Sequence, residues 1–147
     1  MVDVYDKGVN RSAVISATVF SGQVRVGMCE SRGDMELFAD ADSASAMGRA
    51  LREAASRERM RNRPECPEPP RGRRIVKVVM MHDPDVDGDA LGIVSVSAQG
   101  VGICLDTFDE EGIAETFEFW LSPEDADRAA DALSEAASRL RQAKPES

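Results

Sequence analysis

Glu53-Ala54-Ala55-Ser56-Arg57 and Glu135-Ala136-Ala137-Ser138-Arg139 are one pentapeptide written twice, 82 positions apart. The same spacing pairs Leu51 with Leu133, Phe38 with Trp120, Leu37 with Phe119 and Met35 with Phe117. Nearer the N-terminus the spacing falls to 77, pairing Ala13 with Ala90, Ala17 with Val94, Val19 with Val96, Val24 with Val101 and Val26 with Ile103. A five-residue difference belongs in a turn, where insertions are tolerated. Asp109-Glu110-Glu111-Gly112 is then the longer form of Ser31-Arg32-Gly33-Asp34. Self-similarity at fixed spacing predicts a duplicated structural unit.

Each unit reads as strands followed by a helix. In the first, residues 2–6 are a short strand. Residues 13–20 alternate, with Ile15, Ala17 and Val19 on one face, and Ser21-Gly22 marks a hairpin turn. Val24, Val26 and Met28 line the next strand, and Met35, Leu37 and Ala39 the last. Asp40 can cap a helix over residues 41–61, with Met47, Ala50, Leu51 and Ala54 as its stripe. The second unit predicts strands over 75–81, 90–97, 101–108 and 113–121. Ser122-Pro123-Glu124-Asp125 opens its helix: a capping hydroxyl, a proline at the first helical position and acids at the positive end of the helix dipole. Ala126, Ala129, Leu133, Ala137 and Leu140 are its buried stripe.

These elements predict an α+β fold: a tandem duplication of a ββββα unit, with antiparallel sheets packed together as one core. Ala-lined stripes bury little area, at about 0.8 kcal/mol per CH₂, so one unit alone should be unstable. A single domain over 1–147 follows, with repeat one at 1–61, a Pro/Arg-rich linker at 62–73 and repeat two at 74–144. Four prolines in the linker favour an extended path. The element order resembles that of the Whirly and PUR-repeat nucleic-acid-binding folds. That resemblance spans nearly the whole chain, but no family motif accompanies it and no residue role is carried over.

The 147 residues are 42% hydrophobic and 31% charged, ordinary values for a globular chain. Cys29, Cys66 and Cys104 lack CxxC spacing, which argues against a disulfide framework or a zinc site. With no signal-peptide pattern in the first residues and no long apolar run, a reducing cytoplasm is the expected location, and no membrane partner is expected. Net charge is −9 and uneven: residues 1–73 hold 12 basic and 11 acidic side chains, residues 74–147 hold 6 and 16. Such asymmetry bears on partners and self-association.

Asp83, Asp85, Asp87 and Gly88 match the first half of a calcium-binding loop. The second half fails, because Leu91 and Val94 stand where oxygen ligands belong. An inter-strand turn is the expected role, and no metal or cofactor is called for. His82, the sole histidine, has no nucleophile placed near it by a motif. The acids of the second unit read as a solvated face or a docking surface. Arg57, Arg59, Arg61, Arg63, Arg71, Arg73, Arg74 and Lys77 crowd the linker region, where they can neutralise acids or track phosphates. Phe38 and Trp120 fall out of phase with the apolar residues of their strands; they are expected beneath the following helix or as exposed platforms.

The leading expectation is a non-enzymatic interaction protein, a regulator or inhibitor of phage-like accessory type. It would bind a protein partner through Glu115, Glu118, Asp127 and Asp131 and form a homo-oligomer. The other expectation is a single-stranded nucleic-acid binder using Arg61, Arg63, Arg71, Arg73 and Arg74, with Gln23 and Arg25 from a sheet face. Few aromatics and the overall acidity weigh against it.

Overall fold

Val24, Val26 and Met28 alternate with Gln23, Arg25 and Gly27, and a period of two makes a strand with one apolar face. The computed structural model describes residues 2–6, 11–30, 33–61, 74–85, 87–97 and 100–143. The elements are β1 (Val2–Asp6), β2 (Arg11–Phe20), β3 (Gln23–Glu30), β4 (Gly33–Ala39), α1 (Ala41–Arg61), β5 (Arg74–Asp83), β6 (Gly88–Ser97), β7 (Gly100–Asp109), β8 (Gly112–Leu121) and α2 (Pro123–Ala143). The linker at 62–73 lies outside the described residues.

The expected pair of packed sheets is corrected to one. All eight strands lie side by side in chain order, and each neighbouring pair is antiparallel. β4 and β5 join the halves at one aligned pair, Phe38 with His82. The physical reason lies in the helices. α1 packs on β5, β6 and β7, whereas α2 packs mainly on β1, β2 and β3. Each half therefore sends its helix over the strands of the other half. Together the helices cover the side of the sheet that carries the core, the place a second sheet would have taken.

The two helices also pack along each other, antiparallel. Arg141 Nη2 bonds Asp42 Oδ1 at 2.7 Å near one end, and Arg59 Nη2 bonds Asp127 Oδ2 at 2.7 Å near the other. Gly48 lets them approach: a Cβ there would lie 2.9 Å from Ser134 Oγ and 3.2 Å from the Ala130 carbonyl oxygen. Small residues on both stripes keep the helices close to the sheet as well. Met47, Leu51, Ala54, Leu133, Ala137 and Leu140 join Val24, Leu37, Ile103 and Phe119 in one apolar cluster drawn from both halves.

Both helix starts are capped. Asp40 Oδ1 accepts the Ser43 N–H at 2.7 Å, and Ser122 Oγ accepts the Asp125 N–H at 3.1 Å. Each side chain satisfies a backbone donor that the helix itself cannot. Among the described residues, no helix is long and apolar enough to cross a membrane.

Candidate interaction surfaces

The acids of the second half fall into two sets. On α2, most face an arginine. Asp127 bonds Arg59, and Asp131 bonds Arg52, both across to α1. Glu135 pairs with Arg139 at 2.6 Å, and Asp125 with Arg128 at 3.5 Å, within the helix. Asp127 and Asp131, expected at a partner surface, thus tie the two helices together. Such partly exposed pairs are worth about 0–1 kcal/mol each, so they orient the helices more than they stabilise them.

The second set stands at one end of the sheet. The β5–β6 and β7–β8 turns come together around a shallow cleft lined by Gly88, Phe108, Asp109, Glu110 and Glu111. Asp85, Asp87, Asp89, Asp109, Glu110 and Glu111 are all exposed there. Among the described residues, none of these six pairs with an arginine or lysine. His82 Nε2 lies 3.2 Å from Asp87 Oδ1. Two acids shape the turns instead: Asp83 Oδ1 accepts the Asp85 N–H at 3.0 Å, and Asp109 Oδ1 accepts the Glu111 N–H at 2.8 Å. Side chains engaged this way favour tight turns without a cation. No group of three or more potential metal ligands is gathered among the described residues. Apolar Ile113 is exposed beside Phe108, its partner across the β7–β8 ladder.

The sheet face away from the helices carries the second candidate surface. Side chains alternate across a strand, so Phe38 and Trp120 fall opposite Leu37, Ala39, Phe119 and Leu121, which join the core. Neither ring lies beneath a helix. Trp120 is only 8% exposed and lies over Gly102, where a Cβ would come within 2.7 Å of its ring. Phe38 stacks on Phe20, with centroids 6.1 Å apart and planes 19° apart. The Arg25 guanidinium sits 5.0 Å above the Phe20 ring, and Glu36 stands 3.8 Å from it. On the same face Asp106 Oδ1 accepts the Thr116 hydroxyl at 2.8 Å and the Cys104 thiol at 3.3 Å. In the first half, Cys29 on β3 stands opposite Asp34 on β4. A hydrogen bond to Asp34, with lost hydration and the Asp34 charge adding, pushes the thiol above its ordinary value of 9.0.

The other expected site residues do not converge. Glu115 is exposed, whereas Glu118 is half-buried opposite Cys104 on the other side of β8. Arg74 is exposed at the start of β5, and Arg61 ends α1. Arg63, Arg71 and Arg73 lie outside the described residues. Sequence reasoning did not single out Phe20, Ile75, Val78, Met80 or Ile113 as surface residues, although all are exposed. Each sits in a strand-forming run, and residue type alone does not say which face of a strand a helix will cover. No protein-family model matches the chain, and neither a curated protein nor a solved structure shows significant similarity to it.

Proposed function

We propose that this chain is a non-enzymatic interaction protein, a regulator or inhibitor working in a reducing cytoplasm. Its acidic sheet end receives a basic, partly apolar segment of a partner protein. One observation carries this reading. The α2 acids are largely matched by arginines, whereas the six turn acids around the Gly88–Glu111 cleft have no arginine or lysine partner among the described residues. Concentrated, unmatched charge speeds association with an oppositely charged partner and selects against acidic ones. Phe108 and Ile113 beside the acids supply apolar contact, which a purely ionic surface lacks.

The reading is tested with a labelled peptide of alternating lysine and leucine as probe. Glu110→Lys with Glu111→Lys should weaken binding at least tenfold. Glu53→Lys with Glu135→Lys changes net charge equally on the helices and should weaken it far less. Equal loss in both variants would reduce the binding to bulk charge and remove the site.

A second reading has one observation in its favour, the Phe20–Phe38 stack under Arg25 on an open sheet face. Exposed Phe20 on half-buried Phe38, beside a cation, suits the bases of a single strand of nucleic acid. Glu36 beside Arg25 weakens that platform. Fluorescence anisotropy with labelled oligonucleotides separates the readings: salt-dependent binding lost in Phe20→Ala would favour the second.

A further inference from the structure

β5 is ten residues long, and its two edges are unequally used. One edge pairs with β6 along nearly its whole length. The other meets β4 only where His82 aligns with Phe38. Among the described residues, no strand aligns with residues 74–81 on that side. The side chains there are correspondingly open: Ile75 is 59% exposed, Val78 45% and Met80 56%. All three stand on the sheet face away from the helices. A groove lined by Ala46, Arg49, Ala50, Glu53, Val76 and Lys77 opens between α1 and β5. A long apolar strand edge is a template for another strand unless something covers it.

We infer that the occupant is the β5 strand of a second copy of this chain, paired antiparallel across a two-fold axis near Val78. The charge order along β5 supports self-pairing. Arg74 and Lys77 mark its start, and Asp83, Asp85, Asp87 and Asp89 mark its end and the following turn. An antiparallel two-fold turns the basic start of each strand toward the acidic end of the other. A parallel arrangement would set like charges side by side. The irregularity between Ile75 and Lys77 in the pairing with β6 puts Ile75 and Val78, three positions apart, on the same face. With Val78 opposite its own copy, Lys77 meets the partner's Val79, and Ile75 meets the partner's Met80. Open-face residues then face one another, as residues directly opposite in an antiparallel ladder must. Arg74 then stands opposite the partner's Met81, at the approach to its acidic turn. The surface is self-complementary, as a closed two-fold interface requires. It borders the acidic sheet end at the β5–β6 turn but leaves the cleft-lining Asp109, Glu110 and Glu111 free, and it does not depend on the partner proposed for them.

Two measurements on the full chain test this. In sedimentation, the native protein should run at twice its 15.9 kDa mass at micromolar concentration, and Met80→Lys should run as a monomer with an unchanged far-UV spectrum. In a Cys29→Ser, Cys66→Ser background, Val78→Cys should oxidise to a covalent dimer, because opposed Cα atoms across such a ladder lie within disulfide reach. Ile113→Cys, exposed but far from the edge, should not. A monomer at all concentrations would overturn the inference. So would a dimer indifferent to Met80→Lys, or Val78→Cys cross-linking no faster than Ile113→Cys. Should Met80→Lys fail to fold, the cross-linking comparison alone decides.

Discussion

Gly102 shows how much one missing side chain can organise. Trp120 lies against it, and a Cβ would press into the ring at 2.7 Å with Ser95 Oγ equally near. A rigid ring cannot yield as a flexible side chain can. Gly102→Ala should therefore cost roughly 1–3 kcal/mol of stability in urea titration. At Asp40 the issue is charge. Backbone and side-chain hydrogen bonds from Ser43 hold its carboxyl below the ordinary value of 3.8. A carboxyl with a lowered folded-state pKa stabilises the fold above its unfolded value and ceases to as pH falls through the folded one. Asp40→Ala should cost about 1 kcal/mol at neutral pH, the usual worth of a helix cap. Asp40→Asn keeps the cap without titrating, so its stability relative to the native chain should rise as pH drops below 3.8. Cys29 is raised by Asp34, and a thiol kept protonated is a poor nucleophile. Alkylation followed at the Cys29 peptide should be slow at neutral pH and faster in Asp34→Asn. The capping residues were legible in the sequence, because capping is local chemistry. The Trp120–Gly102 contact was not, because it depends on which strands become neighbours.

At the scale of elements, the crossed helices matter most. Met47, Ala50, Leu51 and Ala54 were readable as a buried stripe, and all four are buried. Their period says that a face is buried and leaves open against what. A helix stripe of alanines and a glycine fits any flat apolar surface, so nothing local distinguishes a helix on its own strands from one on the other half's. That choice is made by long-range packing, and it also replaced two facing sheets with one. The contact has two energetic parts. Ion pairs such as Arg59–Asp127 are partly exposed, and a double-mutant cycle should give a coupling below about 1 kcal/mol, smaller still in high salt. Close packing at Gly48 is the larger part. Gly48→Val should cost roughly 1–3 kcal/mol, because the backbone of α2 stands 3.2 Å from the first added carbon.

Across the whole molecule, charge and packing follow different logics. The −9 net charge announced that something in the second half is acidic, but not where. Folding spends Asp127 and Asp131 on α1 and leaves the turn acids at the sheet end. The exchange of helices makes one core from two halves, each covered mainly by the other half's helix. Leu37 on β4 and Trp120 on β8 belong to different halves, yet Leu37 is fully buried in the shared cluster. Trp120, the single tryptophan, reports on the second half by its fluorescence. The most direct measurement is urea unfolding of Leu37→Ala followed at Trp120. A cavity in a shared core should destabilise the fold by about 2–5 kcal/mol. The Trp120 transition should then shift to lower urea by the same amount as the far-UV transition, in one step. A Trp120 transition that stays at its native midpoint while the far-UV signal shifts or splits would show two independently folded halves, and would contradict the single shared core.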